Sequence, residues 1–227
     1  MPNRVLPDGC SDIILGVGDA PGPVVVGTMS TAAIHQLTGR VDMLGVRFHP
    51  GCGLPFVGIP LSELTDRRVP LGELWGPDTS GLVEPAVAPL ERALIERLHQ
   101  WLRNDSSNEP LVARAIALLR HSRGGARIRD VAAALGVGER RLERAFDRSV
   151  GISPKVFARV MRLRRAVNRI TRTPKATSWT SIAFDAGYAD QSHLIREFRS
   201  LTGLTPDRYV AERGGVGFVQ YDDPEFA

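Results

Sequence analysis

The chain has 227 residues, of which 43% are hydrophobic and 24% charged, with a formal net charge of +4. This composition is ordinary for a globular protein, and the length accommodates one large or two modest domains. Two cysteines, Cys10 and Cys52, are too few for a disulfide framework, and no apolar run approaches the roughly 18 residues that span a bilayer, so we expect a cytoplasmic protein without a membrane partner.

The first hundred residues favour a small β-rich unit. Short apolar runs alternate with turn residues, which predicts strands of an antiparallel sheet or barrel at residues 12–17, 24–28, 34–38 and 41–48. Short helical turns are expected at 61–65 and 71–75, and an amphipathic helix at 89–103. The apolar face of this helix consists of Leu90, Leu94, Leu98, Trp101 and Leu102. It is compatible with packing on the unit's own sheet and with the seam of a homodimer.

The chain changes character after residue 104. Residues 105–110 are polar and predict a linker, and residues 111–213 have helical periodicity throughout. The predicted fold class is therefore α+β, with a β-rich regulatory domain and its flanking helices at 1–104 and an all-α domain at 111–213. An acidic tail at 214–227 has strand-like composition and is expected to fold back onto the front sheet or the basic face, with a frayed terminus as the alternative.

The charges are unevenly distributed between these segments. Residues 1–110 hold 8 basic and 13 acidic side chains, a net of −5, whereas residues 111–213 hold 21 and 9, a net of +12. A basic block beside acidic ones predicts a polyanionic partner such as double-stranded DNA. A solvated, arginine-rich helical surface is the alternative, because 27 of the 29 basic residues are arginine.

The helical half contains an internal repeat. Equivalent residues are 51 positions apart up to a shared glycine and 52 apart after it, so the second turn is one residue longer. The first copy contains Ala132, Gly136, Leu142, Arg144, Phe146, Gly151 and Pro154. The second copy contains Ala183, Gly187, Leu194, Arg196, Phe198, Gly203 and Pro206.

Each copy has the parts of a helix-turn-helix. A small alanine permits close approach of two helices, and the glycine permits the positive φ of a tight turn. Asp190 is a strong N-cap for the second helix of the second copy, whereas Gly138 is a weaker one in the first. The leucine and phenylalanine lie four residues apart and share a buried face, which leaves polar residues on the outward faces. An αα-hairpin used only for packing is the alternative for either copy.

A long helix joins the two copies. Ser153 and Thr205 are predicted caps, each followed by a proline at the first helical position. The helix from residue 154 to about 171 spans about 27 Å at 1.5 Å per residue. It carries five arginines that contact phosphates or form a solvated face: Arg159, Arg162, Arg164, Arg165 and Arg169.

These residues resemble the DNA-binding domain of the AraC/XylS family of transcription regulators over about residues 111–213. The match is most specific at 182–199 with 203–206. The resemblance implies seven helices, two recognition helices in adjacent major grooves, and activation through contact with RNA polymerase. It also implies that the chain is a sequence-specific, nucleoid-associated activator.

The predicted DNA-binding residues lie on the second helix of each copy. In the first copy they are Arg140, Arg141, Glu143 and Arg144, and in the second they are Gln191, Ser192, His193, Ile195 and Arg196. Gly138 departs from the serine or threonine common in the family. Ile195 is apolar where the family often contacts DNA, so it meets a thymine methyl or nothing.

The front of the chain is similar to the sensor domain of one AraC-type subgroup, over residues 4–15 and 45–51. In that subgroup the domain begins further upstream, so we expect this chain to lack one or two opening strands. The similarity implies a small-molecule effector that modulates DNA binding. A metal or thiol sensor and scattered structural residues are both compatible with Cys10, His35, His49 and Cys52, but their spacing matches no standard site, so no metal is predicted.

No enzyme and no cofactor is predicted. The sequence contains no Gly-rich phosphate loop, no His-Glu-x-x-His and no Gly-x-Ser-x-Gly. Ser192 and His193 are adjacent on a helix, so they point apart and do not form a nucleophile and base. Two alternatives stay open. A protein resembling alkylation-repair regulators would use Cys10 as a reactive thiol, and an interaction protein would use the basic face for an acidic partner.

Overall fold

The computed structural model describes residues 2–17, 22–36, 42–76, 79, 82, 87–104, 110–172 and 178–213. The predicted linker, apart from Pro110, and the predicted acidic tail lie outside these residues. The α+β class is confirmed: a β-rich front region (residues 2–104) precedes an all-α helical region (residues 110–213). Among the described helices, none is both long and apolar enough to cross a membrane.

The front region contains two antiparallel sheets. The smaller pairs β1 (Pro2–Val5) with β4 (Ala33–Gln36), and the larger has the order β5–β2–β3–β6. The bounds of these four strands are Ser11–Val17 for β2, Val24–Val26 for β3, Asp42–Phe48 for β5 and Arg68–Pro70 for β6. The four predicted strands are confirmed. Strands β1 and β6 were not predicted.

Strands β2 and β5 bring the two family-like motifs of the front region together. Asp12 pairs with Arg47 across the ladder, and Arg47 donates from Nε and Nη2 to the Asp12 carboxylate at 2.8 and 3.0 Å. Its Nη1 donates to Asp8 at 2.6 Å. One arginine therefore ties the loop before β2 to the sheet.

Short helices cover the larger sheet, with bounds Leu54–Val57 for α1, Leu61–Leu64 for a 3₁₀ turn, Leu71–Trp75 for α2 and Val87–Asn104 for α3. On α3, Leu90 is buried and Leu94 packs against the same core, so packing on the front region's own sheet is confirmed, and a dimer seam stays a prediction. Leu102 was expected on that face but is 56% exposed. Trp101 turns inward instead, beneath the guanidinium of Arg148 at 5.8 Å, and the next residue points about 100° away.

The helical region has the seven helices that the family resemblance implies, within residues 110–172 and 178–213. Their bounds are Leu111–His121 for α4, Ile128–Ala134 for α5, Glu139–Ser149 for α6, Pro154–Arg172 for α7, Trp179–Ala186 for α8, Gln191–Thr202 for α9 and Pro206–Arg213 for α10. Helix α7 belongs to two cores. Phe157 and Val160 pack with α4–α6, whereas Leu163 and Val167 pack with α8–α10. The predicted joining helix is therefore confirmed.

An ionic network attaches α9 to α7. Arg159 Nε donates to Glu197 Oε1 at 2.8 Å, and Arg162 Nη2 donates to Oε2 at 3.0 Å. Arg162 Nη1 also donates to the carbonyl of Gly124, at 2.6 Å, in the turn between α4 and α5. Glu197 and Arg162 together therefore connect the second helix-turn-helix, the joining helix and the turn that precedes the first unit.

The front region packs directly on the helical region. Leu6 is 6% exposed and lies in the core of α8–α10, and Ala32 packs against that core. At the end of α6, the hydroxyl of Thr65 donates to the carbonyl of Gly151. Gly151 has φ +89°, and a Cβ there would lie 2.8 Å from the carbonyl oxygen of Leu61. The backbone of the front region therefore lies in close contact with the backbone of the helical region at Gly151.

Gly151→Ala is expected to lower the melting temperature more than Gly136→Ala. Both glycines have positive φ, +89° and +69°, where an L side chain costs roughly 1–2 kcal/mol. A Cβ at Gly136 meets no heavy atom within 4 Å, whereas one at Gly151 meets the Leu61 backbone. Such overpacking adds about 1–3 kcal/mol. Thermal unfolding monitored by circular dichroism measures both variants, and equal shifts would contradict the close contact between the regions.

Glu197→Gln is expected to reduce the free energy of unfolding by about 1–3 kcal/mol at neutral pH, because it removes the carboxylate from two charged hydrogen bonds. Burial acts to raise the pKa of Glu197, but hydrogen bonds and charges from Arg162 and Arg159 outweigh it, so the pKa lies below its ordinary value. The stabilisation is thus complete above the unfolded-state pKa of about 4.3 and is lost as pH falls through the folded-state pKa. Urea denaturation from pH 7 to pH 3 should show the difference between the proteins shrinking, and a constant difference would argue against this role.

Candidate nucleic-acid interface

Both repeats form helix-turn-helix units. In the first, α5 leads through Gly136 at φ +69° to α6, and in the second, α8 leads through Gly187 at φ +86° to α9. Ala132 and Ala183 are 1% and 0% exposed, where each first helix meets its partner. The predicted turn glycines and small contact residues are confirmed in both copies.

The two second helices begin differently, as their sequences predict. At α9, the Asp190 carboxylate accepts a hydrogen bond from the backbone N–H of His193 at 2.7 Å. At α6, the cap is Gly138, which has extended backbone angles and no side chain to accept such a bond. Glu139 follows it in the first turn, where the positive end of the helix dipole favours an acidic residue.

Burial of one face orients each second helix. Leu142, Phe146, Leu194 and Phe198 are all 0% exposed. Seven of the nine predicted DNA-binding residues lie on the opposite, exposed faces. These are Arg140, Arg141, Glu143 and Arg144 on α6, and Gln191, Ser192 and Arg196 on α9. These seven side chains are therefore accessible on the sides of α6 and α9 that the buried leucine and phenylalanine leave open.

The other two predicted residues, His193 and Ile195, are half-buried. The His193 ring packs edge-on against Tyr188 with 5.2 Å between ring centroids, and its Nδ1 accepts from the backbone N–H of Ala189 at 3.3 Å. His193 thus supports the turn between α8 and α9. Its prediction as a DNA-binding residue did not include this contact within the turn.

Two exposed residues of α8, Thr180 and Phe184, were not among the predicted residues. Thr180 Oγ1 donates to Oε1 of Gln191 at 3.2 Å, which links the start of α8 to the start of α9. Phe184 is 80% exposed. Its position was readable from the helical period, since Ile182, Ala183 and Ala186 occupy the buried face.

Four of the five arginines of α7 bind protein groups and the fifth is buried, whereas their contact with phosphates stays a prediction. Arg159 and Arg162 bind Glu197, and Arg169 Nε donates to Asp185 Oδ2 at 3.0 Å. Arg165 Nη2 donates to the carbonyl of Arg120, and Arg164 is 3% exposed. These charges hold the helices to one another, because the joining helix lies between the two units and not on their outer side.

The four cysteine and histidine residues considered as a sensor do not come together as a metal site. No group of three or more side chains able to hold a metal occurs within the described part of the chain. Cys10 is buried, with its backbone N–H bonded to Asp8, and Cys52 is exposed. A reactive thiol at Cys10 is not favoured by this burial.

Two family models match the chain. Residues 131–212 match a family described as a helix-turn-helix domain, and this span includes both repeats. Residues 1–70 match a family described as a domain of unknown function, DUF6597. No protein with a curated description matches the chain.

Several solved structures are similar to this chain. A probable AraC family transcriptional regulator from Rhodopseudomonas palustris is 26% identical and aligns over 46% of this chain and 97% of its own, with a TM-score of 0.40. The C-terminal domain of AraT, a response regulator from Geobacillus stearothermophilus, is 24% identical over 52% and 95%, with a TM-score of 0.43. ToxT from Vibrio cholerae, with an unsaturated fatty acid bound, is 12% identical over 95% and 91%, with a TM-score of 0.47.

The matched helix-turn-helix model begins at Val131, in the first helix of the first unit, and extends to Glu212 in α10. It therefore covers both turns and both second helices. Residues 131–212 therefore form a helix-turn-helix domain that contains two copies of the unit, as the sequence predicts.

Proposed function

We propose that α6 and α9 are recognition helices that enter adjacent major grooves of one operator. The observation that carries this proposal is the equivalent exposure of Arg144 and Arg196. Each follows its buried leucine by two residues and precedes its buried phenylalanine by two, so both are directed away from the core in the same way. Two equivalent arginines on two similar helices suit two half-sites about one helical turn apart.

Arg144 and Arg196 suit base reading better than the neighbouring side chains do. A guanidinium presents a planar pair of donors that matches O6 and N7 of guanine, a contact worth roughly 1–3 kcal/mol of discrimination. Arg144 Nε donates to the carbonyl of Arg140 at 3.3 Å on its own helix, which leaves the remaining guanidinium donors for a ligand. The other exposed residues of α6 and α9 would add base and phosphate contacts beside them.

The basic charge supports a DNA partner, although some of the arginines bind groups of the protein itself. The segment 111–213 has a net charge of +12. Since α7 directs its arginines toward protein groups, the phosphate contacts are assigned to α6, α9 and the turns before them. Such contacts release counterions and make binding weaken with salt, with a log–log slope of about −0.9 per phosphate neutralised.

We also propose that residues 1–104 and 111–213 act as a regulatory and a DNA-binding domain, and that the protein activates transcription in response to a small-molecule effector. The resemblance to AraC/XylS regulators supports activation through RNA polymerase. The contacts of the front region with the ends of α6 and α9 support modulation, because they reach both proposed recognition helices. A homodimer stays a prediction of the sequence.

Arg144→Ala and Arg196→Ala are each expected to relax preference at one or two base pairs, at positions about one helical turn apart. Selection of bound sequences from random and genomic DNA measures the change for the full chain. Arg67→Ala is the charge-matched control, because Arg67 is exposed in the front region and bonds to the Glu63 carbonyl. Weakening of all sequences together would assign the arginines to phosphates, and loss at the same base pairs in both variants would contradict the two-groove arrangement.

The sign of regulation is expected to be positive. Addition of the full chain to a purified transcription reaction, with a promoter that carries the selected site, should increase transcript several-fold. The same promoter with both half-sites scrambled is the control. A decrease in transcript on the intact promoter would contradict activation while leaving the DNA-binding proposal in place.

A further inference from the structure

The front region donates hydrogen bonds to the C-terminal ends of both proposed recognition helices. The last carbonyls of a helix have no partner within the helix and need donors from elsewhere. At α6, Thr28 Oγ1 donates to the Val150 carbonyl at 2.6 Å, and at α9, Arg4 Nη1 donates to the Thr202 carbonyl at 2.8 Å. Val150 and Thr202 are 52 residues apart, so they are equivalent positions of the repeat. The front region therefore contacts the same point in each copy.

One short loop makes a contact at each end. We call residues 27–32, between β3 and β4, the brace loop. Its Thr28 bonds to the end of α6, and the backbone N–H of Ala32 donates to the Leu201 carbonyl at the end of α9, at 2.7 Å. These donors are four positions apart along the chain, and a chain of that length spans at most about 14 Å. The brace loop therefore limits how far apart the two helix ends can move.

The brace loop is itself fixed to the front region. The Asp66 carboxylate accepts from the backbone N–H of Ser30 at 2.7 Å and from its hydroxyl at 2.5 Å. The backbone N–H of Asp66 donates to the Thr28 carbonyl at 3.1 Å. Asp66 has φ +57°, a conformation uncommon outside glycine, which these bonds help to hold. Because Asp66 holds the middle of the loop, Thr28 and Ala32 have little freedom to move relative to each other.

We propose that Thr28 and the brace loop are positioning elements that set the separation of α6 and α9, and thereby the number of base pairs the protein requires between its two half-sites. This inference rests on the proposed two-groove binding. Helix α7 and Glu197 connect the two units along one side, and the brace loop connects the C-terminal ends of α6 and α9 through the front region. One added base pair moves a half-site by about 3.4 Å and rotates it by about 35°. A pair of helices held at two places does not follow that displacement.

The separation of the helices can be measured without DNA. Spin labels at Asp147→Cys and Arg199→Cys, equivalent exposed sites on α6 and α9, are introduced in a Cys52→Ser background of the full chain. Pulsed electron resonance should give a narrow distance distribution for the parent protein. Thr28→Val and Ser30→Ala should each broaden or shift it. Ser122→Ala is the matched control, because this loop serine also makes two local hydrogen bonds but lies between α4 and α5.

The consequence for DNA is measured with the unlabelled proteins on the selected operator and on operators with one base pair added or removed between the half-sites. The ratio of affinities for native and altered spacing should fall about 5- to 10-fold in Thr28→Val and Ser30→Ala, as loss of a coupling between two sites predicts. The ratio should stay at the parent value in Ser122→Ala. Ser30 lies at the surface, so its variant remains informative if the buried Thr28→Val fails to fold.

Distance distributions and spacing ratios that match the parent protein in Ser30→Ala would overturn the proposal. A parent protein that tolerates every spacing equally would also overturn the proposed link between the brace loop and base-pair spacing. Failure of the two-groove function is distinguished from this, because Arg144→Ala and Arg196→Ala would then lose preference at the same base pairs.

Discussion

The burial of one leucine and one phenylalanine in each repeat is the constraint on which the helical region depends. Leu142, Phe146, Leu194 and Phe198 are fully buried, and each such side chain contributes roughly 1.5–3 kcal/mol when removed from water. Because the two members of a pair lie four residues apart, their burial fixes the rotation of a helix about its own axis. The exposed faces of α6 and α9 follow from that rotation.

The charge of the helical region has two uses. The arginines of α7 bind carboxylates and carbonyl groups of neighbouring helices, most closely around Glu197. A glutamate between two half-buried guanidinium groups keeps a low pKa and stabilises the joining helix against α9. The net charge therefore overstates the number of cations that face a polyanion. The arginines of α6, by contrast, are exposed opposite the buried Leu142 and Phe146.

Side chains of the front region pack against the helical region at several places. Leu6 completes the core of the second unit, and Trp101 at the end of α3 lies beneath Arg148 near the end of α6. Gly151 and Gly203, which end the two repeats in the left-handed conformation, both lie against front-region atoms, the Leu61 carbonyl and the Arg4 guanidinium. The boundary between the regions is therefore a packed interface, and the equivalent ends of α6 and α9 are its points of attachment.

The sequence by itself determined the local parts. Turn glycines, the Asp190 cap, the prolines that begin α7 and α10, and the buried Leu and Phe pairs all depend on residues within a turn or two of one another, and each was readable from spacing. Most of the candidate site followed, since helical period alone assigns Arg144 and Arg196 to outward faces. Only the tertiary structure decided which residues far apart in the sequence contact one another. The arginines of α7 could not be assigned from periodicity, because Glu197 is 35 and 38 residues away. Nor could Leu6, Thr28 or Arg4, whose contacts with the helical region close loops of more than a hundred residues and leave no periodic trace in the sequence.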